Sequence, residues 1–245
     1  MKMLVTGGAG YLGSEVCRLA VAAGHDVIAL RLHAEPPHGR AVRLDLRDDD
    51  DVQRSFMKHG PELVVHTAYR QAEEALAGDV VRATRNVALA AHRVGARLVH
   101  VSTDLVFDGE KGSPYTEDDE PRPVSPYGQA KLHAEELVGE LHPAAVVVRT
   151  SLLYGKPEPG PQERLALSDA TFYVDEIRCP THVGDLAAAL LELGAGEPPA
   201  GALHVAGPQA VSRYELARLL RAALGRDPED ARGVPSPRVG RARDV

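Results

Sequence analysis

Two cysteines in 245 residues, Cys17 and Cys179, are too few for a disulfide framework. Positive charge is also scarce: 28 Lys and Arg stand against 35 Asp and Glu, and the formal net charge is −7. That balance excludes a general nucleic-acid binder, whose electrostatic footprint is basic. A small basic cluster at Arg238, Arg241 and Arg243 does not reverse it, and reads as solvated surface or as a loop facing a nucleotide. No apolar run approaches the roughly 20 residues of a membrane span, so no membrane association is expected. The chain enters a strand at once with Met1-Lys-Met-Leu-Val, which leaves no room for a signal peptide, and a reducing, cytoplasmic setting is the default expectation. Internal repeats and low-complexity segments are absent. So is any acidic cluster to which a metal would be assigned. His33 and His38 lack a third partner nearby and read as exposed.

What remains is an ordinary globular composition, 44% hydrophobic and 26% charged. The length suits one sizeable core with a smaller lobe. Lys2 to Thr6 reads as a buried strand. It runs into Gly7-Gly8-Ala9-Gly10-Tyr11-Leu12-Gly13 and then a helical stretch that reaches Ala23. Strand, glycine loop and helix in that order form the context of a dinucleotide fingerprint. Glycines let the backbone approach a pyrophosphate, and the following helix offers free N–H groups and its positive dipole end. Gly7, Gly10, Tyr11, Leu12 and Gly13 are therefore candidate cofactor contacts, and Cys17 behind them reads as a small core residue.

Asp26 to Leu30 is a second strand. NAD-preferring proteins carry an acid at its end to hold the ribose 2′-hydroxyl, but Arg31 stands there. A guanidinium can pair with a 2′-phosphate. The alternative is a surface arginine. The basic residue favours NADP(H), with NAD(H) also admissible. A third strand, Ala41 to Leu44, delivers Asp45 and Leu46 to where an adenine edge would lie. The acidic Arg47–Asp51 stretch starts a helix that runs to Lys58. A fourth strand, Leu63 to His66, leads to Thr67, Ala68 and Tyr69 over the cofactor. His66 itself reads as a satisfied core histidine. A long amphipathic stretch, Glu73 to Val94, precedes the fifth strand, Arg97 to Val101. The sixth is Ala144 to Arg149, followed by Thr150. Such alternation predicts an α/β Rossmann-type, doubly wound parallel sheet.

The chemistry concentrates in residues 102–131. Tyr127 and Lys131 are four apart, on one face of a helix. An ammonium at about 4 Å in an effective dielectric of about 20 attracts a phenolate by roughly 4 kcal/mol, enough to bring a phenol from about 10 to about 7. A group poised there can give or take a proton at a carbonyl oxygen, and Thr103 supplies a hydroxyl to hold that oxygen. Thr103, Tyr127 and Lys131 are the catalytic candidates. Thr103, Asp104, Thr150 and Arg178 are the substrate candidates, because strand ends converge on one crevice at the carboxyl edge of such a sheet.

With these residues in view, the chain resembles the extended short-chain dehydrogenase/reductase family, in particular its dTDP-4-dehydrorhamnose reductase-like branch. The resemblance covers nearly the whole sequence. It rests on Thr6-Gly-Gly-x-Gly-x-x-Gly13, Ser102-Thr-Asp-x-Val-Phe-Asp-Gly109, Tyr127-Gly-x-x-Lys131, Arg149-Thr-Ser151, Pro180-Thr181 with Asp185-Leu-Ala187, and Ser212-Arg-Tyr-Glu-Leu216. It implies NADPH- or NADH-dependent reduction of a ketone on a nucleotide-linked 4-keto-6-deoxyhexose, with Lys131 also holding the nicotinamide ribose. It also implies a homodimer as a common form. Val80 stands where relatives often carry asparagine, and Leu105 and Leu152 stand where they place aromatics near substrate. Alternatives within the resemblance are an NAD-dependent epimerase or dehydratase, and a non-catalytic nucleotide-binding regulatory subunit such as that of methionine adenosyltransferase.

Past Tyr154 the alternation breaks. Residues 155–163 carry three prolines and read as a linker or lid, and the stretch to Asp175 lacks a convincing helix. The expected division is a cofactor domain over 1–154, with a helix at about 182–194 packing back on it. A small substrate lobe then comprises 155–181 and 197–245, containing a strand over Leu203 to Ala206. Ser212 with Glu215 reads as a capping box opening the last helix.

Overall fold

The computed structural model describes residues 1–69, 76–237 and 242–245. The start of the long amphipathic stretch at Glu73, and Arg238 and Arg241 of the basic cluster, lie outside them. In chain order the first half comprises β1 (Lys2–Thr6), α1 (Tyr11–Ala22), β2 (Asp26–Arg31), β3 (Arg40–Arg43), α2 (Asp49–His59), β4 (Leu63–His66), α3 (Leu76–Arg93), β5 (Arg97–Thr103), α4 (Pro126–Leu141) and β6 (Val146–Thr150). The second half comprises β7 (Leu153–Tyr154), α5 (Pro161–Ala166), β8 (Thr171–Tyr173), β9 (Ile177–Arg178), β10 (Thr181–His182), α6 (Val183–Ala195), β11 (Gly201–His204), β12 (Val211–Ser212), α7 (Arg213–Ala223) and β13 (Arg232–Val234).

Seven strands form one parallel sheet in the order β11-β6-β5-β4-β1-β2-β3. Helices cover both faces, so β4 and β6 are buried along their whole length and read as continuous apolar runs, Leu-Val-Val and Val-Val-Val. On one face α1 and α6 pack through Val16, Cys17, Ala20, Leu186 and Leu190. On the other, α2, α3 and α4 pack through Phe56, Val87, Ala91 and Val138. Local signals start these helices where expected. Asp48 caps α2 by accepting from the Asp51 N–H at 2.9 Å, and three aspartates complement the dipole in its first turn.

Strand order reverses between β1 and β4, and the crevice at their carboxyl ends is where such sheets bind ligands. A smaller core of Ala166, Phe172, Leu216, Ala217, Leu220 and Ala231 sits beyond it. Ser212 caps α7, accepting from Glu215 N–H at 3.0 Å.

Two expectations are corrected. The segment after Gly155 does contain a helix, α5, which is six residues long. Pro161 at its first turn presets the helical φ, and a single turn and a half is too short to show a 3.6-residue period. The strand at 203–206, grouped with the smaller lobe, is instead β11, Gly201–His204, the seventh strand of the main sheet beside β6. It is a half-buried edge strand, and its pattern carries no record of which sheet it joins.

Candidate active site

The glycine loop between β1 and α1 is built to be approached closely. Gly7 adopts φ +66°, and a Cβ there would come within 2.9 Å of the Ala68 Cα. A Cβ on Gly13 would strike the Gly7 carbonyl. α1 has no side-chain cap at Gly10, so its first N–H groups are available to an anion. A cradle of this shape, opening onto a helix N-terminus, fits the pyrophosphate of a dinucleotide.

Two adjoining cavities share Gly7, Ala68 and Tyr69. The smaller, about 310 Å³, is lined by Arg31, Asp45 and Leu46, the residues expected at the adenosine end, and by Arg47, Asp79, Val80 and Ala83. Arg31 donates to the His33 carbonyl at 3.1 Å and pairs with the exposed Glu35. Asp45 is bound by Arg47, whose Nη2 lies 2.7 Å from its carboxylate while Nη1 reaches Asp79 at 3.0 Å.

The larger cavity, about 790 Å³, is lined by Gly10, Tyr11, Leu12, Gly13 and Thr67 on the glycine-loop side. Facing them are Thr103, Asp104, Tyr127, Lys131, Thr150 and Arg178. The structure thus brings every candidate cofactor, catalytic and substrate residue to one of these two cavities.

Local chemistry sets the catalytic side chains. Ser125 caps α4, accepting from Gly128 N–H at 3.0 Å, and Pro126 follows at the first helical position. This places Tyr127 in the first turn, with Lys131 one turn deeper. Thr103 ends β5 and turns the chain: its Oγ1 accepts from Leu105 N–H at 3.2 Å and donates to Asp104 at 3.0 Å. Thr103 and Tyr127 both line the larger cavity. The Tyr69 and Tyr127 ring centroids lie 5.2 Å apart.

The expected drop of the Tyr127 phenol toward neutrality is not what the structure has. Burial pushes this phenol up, Tyr69 and Asp104 add to the rise, and only Thr103 opposes it. Lys131 Nζ donates to the Val101 carbonyl at 2.6 Å. Burial lowers Lys131 itself to about 8, with Glu135 opposing. Asp104 is raised by burial, which the Arg178 charge counters. Beneath the site, burial and the Lys131 charge lower His66 to about 3, and His100 is likewise held well below its ordinary value. His66 bonds Thr6 at 2.7 Å and Thr84 at 3.1 Å, as a satisfied core histidine does.

Arg178 reaches the cavity wall from β9, and its guanidinium also ties down the C-terminal segment through the carbonyls of Ala242 at 2.7 Å and Arg243 at 3.1 Å. Thr150 donates to Thr181 at 3.4 Å. Sequence reasoning passed over Gln162, Arg213, Ser125 and Ser151, which also line the larger cavity. Gln162 arrives on α5, where no local motif announces a site, and Arg213 at the start of α7, inside the Ser212–Leu216 stretch that reads as a helix start and not as a site. Ser125 was detectable as a cap before Pro126. Among the described residues no cluster of His, Cys, Asp or Glu is arranged to hold a metal, and no helix is long and apolar enough to cross a membrane.

Residues 1–242 match the RmlD substrate binding domain family. A dTDP-4-dehydrorhamnose reductase of Mycolicibacterium smegmatis is 35% identical over 250 residues, spanning 97% of this chain and 73% of that protein. Among solved structures, a dTDP-4-dehydrorhamnose reductase from Clostridium acetobutylicum superposes with a TM-score of 0.81 at 30% identity, covering 96% of this chain and 84% of the other. One from Bacillus anthracis, in complex with NADP, gives 0.80 at 27% identity with the same coverage.

Proposed function

This chain belongs to the RmlD substrate binding domain family, within the extended short-chain dehydrogenase/reductases, and from that membership we propose that it is an NAD(P)H-dependent reductase of a keto group on a sugar nucleotide. The observation that carries the reading is the convergence of Thr103, Tyr127 and Lys131 with the glycine loop on one crevice.

The glycine loop and the start of α1 would hold the cofactor pyrophosphate, Arg31, Asp45, Leu46 and Ala68 its adenosine end, and Thr67, Tyr69 and Lys131 its nicotinamide side. When bound, the cofactor supplies the hydride. Thr103 and Tyr127 present hydroxyls to one carbonyl oxygen. As negative charge develops there, Tyr127 gives up its proton to it and Thr103 holds the oxygen. The raised phenol suits this direction of reaction, because it keeps Tyr127 protonated, the form a reductase needs at the start. Asp104, Thr150 and Arg178, which line the same cavity, would bind the sugar side. Leu105 and Leu152 offer apolar walls where relatives place aromatics, which favours a substituent that does not depend on stacking.

A panel of keto-sugar nucleotides including dTDP-4-dehydrorhamnose, followed by loss of reduced nicotinamide absorbance, tests this. Turnover of at least one 4-keto-6-deoxy sugar nucleotide is expected. No turnover across the panel, beside tight cofactor binding and a stoichiometric complex with another protein, would overturn the reading in favour of a regulatory subunit.

A further inference from the structure

Glu135 and Arg149 form an ion pair with side chains 7% and 8% exposed, deep beside the site and outside the roles described so far. Burying two charges is costly and by itself a weak source of stability. The placement of this pair gives it a further use. Lys131 and Glu135 are one turn apart on α4, on the face toward β5. Successive residues of β5 receive them: the Val101 carbonyl accepts from Lys131 Nζ at 2.6 Å, and the Ser102 hydroxyl donates to Glu135 Oε1. Arg149 is the register partner of Ser102 across the β5–β6 pairing. From there it donates Nε to both carboxylate oxygens, at 3.2 and 3.1 Å, and Nη2 to Oε2 at 2.7 Å. The Phe107 ring covers the guanidinium at 5.2 Å.

We propose that Glu135, clamped between Ser102 and Arg149, is a positioning residue whose carboxylate keeps Lys131 an ammonium within its buried place against β5. The proposal rests on the role given above to Lys131. The other groups around that ammonium work against it or are uncharged. Burial disfavours it, and Glu135 is the group that favours it. His66 on β4 and His100 on β5 feel its charge and are driven neutral. Tyr127, one turn earlier on α4, is held protonated by its own burial. On the far side of the clamp stand Arg149 on β6, His204 on β11, and Glu117, which accepts from the His204 N–H at 2.9 Å. Ser102 and Arg149 fix the carboxylate rotamer on the helix face it shares with Lys131, one turn away.

The test is a titration of Lys131 by NMR in ligand-free protein carrying isotopically labelled lysine, beside the pH profile of kcat/KM with the best substrate of the panel. Glu135→Gln is expected to move the Lys131 titration to lower pH, and the alkaline limb of the profile with it. A double variant, Glu135→Gln with Arg149→Met, removes both charges and avoids an unpaired buried guanidinium. It is expected to move the titration in the same direction by a smaller amount, and it decides the question if the single variant does not fold. A purely structural ion pair would lower the melting temperature and leave Lys131 titrating as in wild type, and that result overturns the proposal. Absence of turnover on every keto-sugar nucleotide would instead remove the reductase reading, while the Lys131 titration still decides this one.

Discussion

A half-buried phenol beside a threonine hydroxyl is a proton donor, and Tyr127 is held in that form by desolvation. Tyr127→Phe should therefore abolish turnover while leaving cofactor affinity nearly unchanged, since it removes one proton and little surface. Fluorescence titration of NADPH beside a turnover assay checks both halves, and activity within about tenfold of wild type would break the assignment. Lys131, lowered to about 8, loses its proton as pH rises through that value. If the ammonium is needed, kcat/KM should fall on the alkaline side with a midpoint near 8, while a profile flat to pH 10 would deny the need. Arg31 belongs to this scale too. Its guanidinium is shared between the His33 carbonyl and Glu35, so a 2′-phosphate has to compete with an exposed carboxylate. Arg31→Asp should weaken NADPH by on the order of 1.5–3 kcal/mol and spare NADH. Equal NADPH affinity before and after, by titration, would put Arg31 in solvent.

Elements carry constraints that single residues do not. β4 and β5 pair in a register that sets His66 against His100, with ring centroids 5.1 Å apart beneath Lys131. Both are driven neutral in the folded protein, with pKa values depressed below the ordinary 6.5. An unfolded chain protonates its histidines near 6.5 and this folded one does not. The unfolded state thus binds more protons below that pH, and stability is lost as pH falls from about 6.5 toward the folded values, at roughly 1.4 kcal/mol per pH unit for each histidine. Denaturant midpoints at pH 7 and pH 5 should show this loss. His66→Gln, although destabilising at pH 7 through its altered bonds to Thr6 and Thr84, should show a shallower acid slope than wild type. An unaltered slope would mean that His66 titrates normally.

At the scale of the molecule, the smaller core is tied to the cofactor loop. Tyr11 of that loop accepts from the Lys156 N–H at 3.1 Å and donates to the buried Glu163 at 3.5 Å, while Lys156 Nζ reaches Ser14 Oγ at 2.5 Å. Glu163 also accepts from Gly155 N–H at 2.7 Å. The proline-rich stretch after β7 is therefore held down by the glycine loop rather than left as a plain linker. Tyr11→Phe removes one anchoring hydroxyl, worth about 1 kcal/mol. Faster proteolytic cleavage within 155–163 is expected, with the melting temperature of the main sheet nearly unmoved. An unchanged cleavage rate would show that the tie does not hold the segment.

Whatever is written in local spacing was readable from the residues alone. Glycine loop after strand, cap before Pro126, Tyr127 four before Lys131, and continuous apolar runs for strands buried on both faces each depend on neighbours within about one or two helical turns. The Rossmann-type sheet follows from them, as does the clustering of candidate residues at strand ends. What depends on distant partners was not readable. That Lys131 donates to Val101 and not to Tyr127 is decided by how α4 lies on β5. Arg149 meets Glu135 because Ser102 and Arg149 share a register across two strands, and β11 joins the main sheet because an edge beside β6 is there to be paired. Burial decided the sign at Tyr127: the lysine spacing alone favours a lowered phenol, and desolvation, a property of the packed molecule, raises it.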